Sequence, residues 1–217
     1  MRNGLLITFE GIDKVGKSTQ VDRLIKYLTA QGYNPILVRE PGSTAISERI
    51  RDILADPTMK NKISPLTEFF LYSASRAQLV FETIDSELNA NKIVIADRYY
   101  DSSTAYQGFG RGISIESIEI VNRIATSNIN PDLTILLYID GKSLTNKKMI
   151  NRMAPNLFDD RTEQEFVNFR QKVQDGFLAI AAKEKDRFLC LDAGESKDQI
   201  AQKIKLKVDL LLKNFTA

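Results

Sequence analysis

Histidine does not occur in this chain of 217 residues, and cysteine occurs once, at Cys190. The two shortages exclude whole classes of chemistry. Without imidazoles and with a single thiol, a zinc site of the usual ligand set cannot form. A Ser-His or Cys-His nucleophile is excluded for the same reason. One cysteine rules out an intrachain disulfide, and the apolar setting of RFLCLD (187–192) reads as an inert, packed thiol. No apolar run approaches the roughly 18 residues that a membrane span requires. An excess of charge is missing too: 30 Lys and Arg stand against 28 Asp and Glu, a net +2. That balance argues against a nucleic-acid binder. The lysines of KDQIAQKIKLKVDLLLK (197–213) alternate with an apolar stripe and read as a solvated helix face. The opening run GLLITFE is too short for a signal-peptide core and has no cleavage site behind it. The expectation is a cytoplasmic protein with neither membrane nor nucleic acid as a partner, whose chemistry does without an imidazole base.

What is present is an ordinary globular composition, 43% hydrophobic and 27% charged, and a length within reach of one domain spanning 1–217. Five short apolar runs read as buried parallel strands: LLITF (5–9), PILVR (35–39), KIVIAD (92–97), LTILLYI (133–139) and RFLCLD (187–192). Each is continuous rather than alternating, as expected where helices cover both faces of a sheet. Helical patterns separate them at 17–30, 44–55, 64–89, 114–127, 142–152, 163–185 and 197–213. The third carries Ser64 as its N-cap and Pro65 at its first position. Strand–helix alternation along the whole chain predicts a three-layer α/β fold. One segment, RMAPNLFDDR (152–161), breaks helical periodicity between two helices and reads as a flap.

Residues Gly11, Ile12, Asp13, Lys14, Val15, Gly16, Lys17 and Ser18 match G-x-x-x-x-G-K-[ST], followed by Thr19, with a strand before and a helix after. In such a loop the glycines let consecutive backbone N–H groups face a phosphate, and the helix N-terminus adds its positive end. Lys17 reaches the β- and γ-phosphates, and Ser18 is placed to hold Mg²⁺. A nucleoside triphosphate is therefore the expected ligand.

A GTPase would need N-K-x-D to read guanine, and the nearest string, TNKKM (145–149), has Met149 in place of the aspartate. A nucleotide kinase should instead show arginines at strand ends, where ligands bind in open α/β sheets. Arg39 ends the second strand in VREPG, and Arg98 follows the third in IADRYYDSS. Two guanidiniums there suit bidentate phosphate binding. Asp97 stands where a metal-facing acid belongs; the bland alternative for Asp97 and Arg98 is a local ion pair. Tyr72 and Arg76 lie four apart on one expected helix and so share a face. That face either presents a ring and a guanidinium to a flat base, or Tyr72 is an ordinary core aromatic. Arg76, in an apolar helix, needs a partner or a ligand, because an unpaired buried charge is costly.

The strings FEGIDKVGKST, REPGST, YSASRAQ, DRYYDSSTAYQG and PDLTILLYID, in this order and spacing, resemble the thymidylate kinase family over nearly the full chain. The resemblance implies a P-loop nucleoside monophosphate kinase fold with five parallel strands between helices, ATP-dependent phosphorylation of dTMP to dTDP, Mg²⁺ dependence, and a homodimer packed through helices. By matching positions it implies that Asp13 bonds the sugar 3′-hydroxyl and that Arg98, with Arg39, holds the acceptor phosphate. Tyr72, where the family usually has phenylalanine, stacks on thymine, and Arg76 reaches the base carbonyl. Ser103 and Gln107 contact the base edge, and Tyr106 lies where a 2′-hydroxyl would be. Arg152 matches an adenine-stacking position, and Arg161 is placed to fold over the phosphates; both could equally be surface charges at helix ends. LDAGES (191–196) gives backbone contacts to adenine.

The missing histidine fits this chemistry. A phosphate monoester is already anionic and needs no general base, so catalysis reduces to positioning and charge stabilisation. Family members place a cation near the γ-phosphate either in the phosphate loop or in the flap. Here the middle of the flap has no basic residue, and Asn156 falls where the flap arginine would be. Lys14 is the expected cation, against the alternative of a solvated lysine at a variable position. The competing functions are another nucleoside monophosphate or deoxynucleoside kinase, and a non-catalytic ATP-binding module.

Overall fold

The five apolar runs pair because each has a face to bury on both sides. In a computed structural model, residues 4–59, 62–139, 160–213 and 215 are described, excepting the side chains of 160–164. Strands β1 (Leu5–Glu10), β2 (Ile36–Arg39), β3 (Ile93–Asp97), β4 (Leu133–Tyr138) and β5 (Phe188–Asp192) form one parallel sheet. Their order is β2-β3-β1-β4-β5. The central strand β1 therefore lies between β3 and β4, and the connections leave it on opposite sides. Ligands collect at such a switch point, beyond the carboxyl ends of the strands.

Side-chain alternation divides the core into two layers. On one face Leu6, Val94 and Ala96 pack with Leu79, Val80, Ile84 and Leu88. On the other, Ile7, Phe9, Ile93 and Ile95 pack with Val21, Leu24, Val173, Phe177 and Ile204. The first group of helices comprises α2 (Ala45–Ala55), α3 (Pro65–Leu79), α4 (Asp85–Asn89), α5 (Tyr100–Ser103) and α6 (Ile115–Ala125). The second comprises α1 (Lys17–Ala30), α7 (Asp160–Lys183) and α8 (Lys197–Leu212). Local chemistry sets their starts. Ser64 caps α3 by accepting from Thr67 N, with Pro65 at the first position, and Ser196 and Gln199 form a reciprocal capping box on α8.

Three sequence expectations change. The helix read as continuous over 64–89 contains a wide π-helical turn, Val80–Ile84, between α3 and α4. A second such turn, Thr104–Gly110, continues α5. No helix was expected there, because the string DSSTAYQGFG has little apolar periodicity. Cys190 is exposed rather than packed, since β5 is an edge strand with a neighbour on one side only. The helix expected at 142–152 and most of the expected flap lie outside the described residues. The backbone of α7 begins at Asp160, so the last two flap positions are helical. Among the described residues no helix is long and apolar enough to cross a membrane.

The far end of the sheet is held by one buried ion pair. Arg187, just before β5, donates Nη1 to Asp101 Oδ2 at 2.7 Å and Nη2 to Oδ1 at 2.9 Å. Nη1 also donates to Thr134 Oγ1 at 2.7 Å, tying α5 to β4. Asp101 is 1% exposed. Replacing Arg187 with Met leaves that carboxylate buried and unpaired, which costs about 3 kcal/mol. Urea unfolding should show this loss in the Arg187→Met variant, and Asp101→Asn combined with it should recover part of it.

Candidate active site

The loop after β1 is shaped by two glycines. Gly11 has φ 127° and lies so close to β4 that a Cβ there would sit 2.1 Å from Leu137 O. Gly16 has φ 103° and forms the N-cap of α1. Both conformations are strained for any residue with a side chain. Ile12 and Val15 are buried in the core, whereas Asp13 and Lys14 face solvent. Lys17, on the first turn of α1, is 7% exposed and turns back on the loop. Its Nζ donates to Gly11 O at 3.1 Å and to Ile12 O at 2.9 Å. Burial, reinforced by the Arg98 charge, pushes this ammonium down to about 7.

The end of β3 brings Asp97 and Arg98 to this loop. Ser18 Oγ donates to Asp97 Oδ2 at 3.4 Å. A hydroxyl and a carboxylate side by side, open to solvent, form the oxygen donor set that suits Mg²⁺, which keeps several waters and takes one or two carboxylates plus phosphate. Arg98 forms its close ion pair with Asp13 and a longer one with Glu10, rather than with Asp97. Its Nη2 donates to Asp13 Oδ1 at 2.5 Å, and its Nη1 donates to Gly11 O at 2.9 Å and Ser102 Oγ at 3.0 Å. The guanidinium also lies over the Tyr106 ring, 5.3 Å from its centroid. Partial desolvation beside the cavity works against ionised Asp13, yet Arg98, Lys17 and Arg170 together hold its carboxyl below the usual range. Beneath them Glu10 is fully buried, accepting from Tyr99 N at 2.8 Å and Ser102 Oγ at 2.6 Å. Burial, with Asp101 adding to it, pushes Glu10 up to about 7.

A cavity of about 290 Å³ opens beside this pair. Asp13, Tyr72, Arg76, Arg98, Ser103, Tyr106 and Gln107 line it, together with Glu40 and Arg51. Seven of the eight residues expected around an acceptor are thus brought together. Arg39 is the eighth and is not: its Nη2 is bidentate on Glu48 at 2.8 and 2.9 Å. It lines a separate cavity of about 230 Å³ with Ser18 and Asp97. Arg152 and the side chain of Arg161 lie outside the described residues. Thr19 is half-buried on α1.

Arg76 has the partner that its burial demanded. Its Nε donates to Glu40 Oε2 at 2.8 Å, Nη1 to Asn122 Oδ1 at 3.1 Å and Nη2 to Ser103 Oγ at 3.0 Å. Reading the sequence missed Glu40, although REPG contains it, because nothing local marks its carboxylate as buried. Arg51 was also missed; it donates to Pro41 O at 3.0 Å from α2. Arg170 was a third omission, and it donates Nη2 to Asp13 O at 2.7 Å. No short motif surrounds Arg170, so no sequence signal pointed to it.

A family model described as thymidylate kinase matches residues 9–204. A thymidylate kinase from Thermoanaerobacter sp. (strain X514) is 46% identical over 189 residues, covering 87% of this chain and 89% of that protein. One from Dehalococcoides mccartyi (strain ATCC BAA-2266 / KCTC 15142 / 195) is 43% identical over 209 residues, covering 96% and 98%. The crystal structure of thymidylate kinase from Ehrlichia chaffeensis superposes with a TM-score of 0.75 at 30% identity, covering 95% of this chain and 99% of that one.

The buried pair of Arg76 and Glu40 makes stability depend on pH. Burial pushes Glu40 up to about 7, with Arg76 opposing. A carboxyl that is weaker in the folded than in the unfolded state binds its proton more tightly when folded. Its contribution is therefore fully present below the unfolded value of 4.5 and is lost as pH rises to about 7. Urea unfolding between pH 5 and 8 should lose about 1–3 kcal/mol from this group. The Glu40→Gln variant, which cannot titrate, should show a flatter profile over the same range.

Proposed function

The chain belongs to the thymidylate kinase family, and we propose that it works through the groups gathered beyond the carboxyl ends of β1 and β3. It is a phosphotransferase that phosphorylates dTMP to dTDP, with ATP as the proposed donor. The observation that carries the site assignment is one cavity shared by Asp13 of the phosphate loop and by Tyr72, Arg76, Arg98, Ser103, Tyr106 and Gln107. A loop residue in the wall of the acceptor cavity brings the two substrates to one point.

Gly11 through Thr19 hold the triphosphate, with backbone N–H groups turned inward and Lys17 on the β- and γ-phosphates. Arg98 receives the acceptor phosphate, for which it exchanges part of its pairing with Asp13. Asp13 takes the sugar 3′-hydroxyl. Tyr72 stacks on thymine, Arg76, Ser103 and Gln107 read the base edge, and Tyr106 closes the space of a 2′-hydroxyl. Arg39 reaches the acceptor phosphate only by leaving Glu48. Arg152 and Arg161 remain part of the proposed ATP site. Ser18 and Asp97 would hold Mg²⁺, which offsets phosphate charge when bound. Lys14, exposed at the tip of the loop, is the cation of the transferring phosphoryl group. The attacking oxygen is already anionic, so no residue has to remove a proton from it.

We further propose a cytoplasmic, homodimeric enzyme of one domain. Helices α2, α3 and α6 expose Ile53, Phe70 and Ile124, and the turn after α3 exposes Phe81 at 80%. Apolar side chains on neighbouring helices of one sheet face support a helix-packed dimer. Sedimentation should give twice the chain mass, and Phe81→Asp with Phe70→Asp should shift it toward the monomer.

Coupled assays with dTMP, dUMP, CMP, AMP and thymidine test the acceptor. The expected result is fastest turnover of dTMP; faster turnover of CMP or AMP points to another monophosphate kinase, and no dTDP at all to a non-catalytic module. Lys14→Met should lower kcat by about 10²-fold with little change in KM for dTMP, the size expected for losing a preorganised charge at the reacting centre. An unchanged kcat would remove Lys14 from the mechanism.

A further inference from the structure

Arg170 is a cation that neither the phosphate-loop pattern nor the acceptor pattern contains. It sits in the string EQEFVNFRQKVQDGF on α7, yet only 8% of it is exposed. Its guanidinium stacks over the Phe166 ring, 5.0 Å from the centroid. Its Nη2 donates to the backbone carbonyl of Asp13 at 2.7 Å, and its Nε has no hydrogen-bond partner among the described residues. A buried guanidinium is costly unless it is well paired. Among the described residues its hydrogen bond goes to the loop backbone.

The helix is fixed so that this contact is made. One turn further on, Gln174 brackets the end of β4: Oε1 accepts from Ile139 N at 2.9 Å, and Nε2 donates to Ile139 O at 2.7 Å. Residues 166, 170 and 174 fall on one helix face. Anchoring Gln174 therefore delivers Arg170 to the loop.

The peptide it touches is the strained one. Lys14 has φ 63°, a left-handed conformation without glycine. A trans peptide is planar, so fixing the Asp13 carbonyl also fixes the Lys14 N–H, which points the opposite way. We propose that Arg170 is a positioning residue for phosphoryl transfer, clamping the Asp13–Lys14 peptide from the side of α7. The clamp acts on both substrates: through Lys14 on the donor, and through Asp13, paired with Arg98 at 2.5 Å, on the acceptor. Arginine suits the position because its fork can hold the carbonyl while its plane stacks on Phe166.

The inference rests on reading Gly11–Ser18 as the phosphate loop. Calorimetry with ADP tests that reading separately: a wild-type protein that does not bind ADP overturns it and the clamp together. Where ADP binds, the clamp is tested by steady-state kinetics on Arg170→Met and Arg170→Lys. Arg170→Met should lower kcat at least about ten-fold with KM for dTMP within about three-fold, as expected when reacting groups are misplaced without loss of binding contacts. Its melting temperature should change little, and its Lys14 amide resonance should move. Arg170→Lys, which keeps a charged donor, should recover most of kcat. Where Arg170→Met does not fold, Arg170→Gln takes its place. A folded variant with kcat within about three-fold of wild type overturns the clamp. So does a loss of the same size in Arg170→Lys, which would trace the effect to packing of the guanidinium.

Discussion

The carbonyl oxygen of Gly11 accepts from two cations at once, Lys17 Nζ at 3.1 Å and Arg98 Nη1 at 2.9 Å. The rest of the site depends on this shared acceptor. It joins the first turn of α1 to the end of β3 through a single peptide of the loop after β1. That peptide is held in turn against β4, where Leu137 O leaves no room for a side chain at position 11. Three adjacent strand ends therefore meet at one residue, Gly11. Two like charges so close would repel, and the acids around them are arranged accordingly: Asp13 pairs with Arg98, Asp97 stands beside Ser18, and Glu10 lies beneath, 3.9 Å from Arg98. The site is a set of closely spaced opposite charges.

In the proposed mechanism this arrangement of charges lets a chain without histidine carry out group transfer. The reaction has little covalent work for the protein to do, and its barrier falls mainly by positioning and charge stabilisation. Two carboxyls are pushed up to about 7: Glu40, in the cavity wall, is paired with Arg76, and Glu10, beneath the loop, has both oxygens occupied by Tyr99 N and Ser102 Oγ and does not line the cavity. Glu10 anchors the turn that carries Arg98 and has no free oxygen with which to act as a base.

Much of this was legible in the sequence. The five strands were found to within a residue at every end, because parallel strands covered on both faces are continuous apolar runs. The phosphate loop was legible because its backbone conformation demands glycine at fixed spacing. Seven residues that line the cavity beside Arg98 were named from the family pattern. What stayed hidden depends on long-range pairing. Glu40 is read as a charge near a turn until the fold brings it to Arg76, 36 residues away. Arg170 is read as one more polar residue on a long helix until Gln174 anchors that helix on Ile139. Arg39 has the opposite history: its strand-end position pointed to the acceptor, but Glu48, one turn into α2, claims the guanidinium. The π-helical turn over 104–110 was missed because its side chains are chosen for the cavity and for packing under α7, not for an apolar stripe.

The backbone itself records where the fold is held against its preferences. Lys14, Ser43 and Arg98 all have positive φ, at 63°, 71° and 75°, with no glycine to relax them. Such residues cost of order 1–3 kcal/mol each and persist only where their surroundings over-determine them. Each has such surroundings. Ser43 is fixed by Arg39 N donating to its Oγ and by its own N–H on Glu48. Arg98 donates its backbone N–H to Phe9 O and its side chain to Gly11, Ser102 and Asp13. The peptide before Lys14 is held by Arg170. These three residues surround the proposed phosphate-binding region, and their backbone is held in place there although the side chains of Arg39 and Arg98 must exchange partners to meet an anion. The strained backbone thus fixes the path of the loop, while the side-chain cations wait on internal partners, Glu48, Asp13 and the loop carbonyls, that a phosphate would replace.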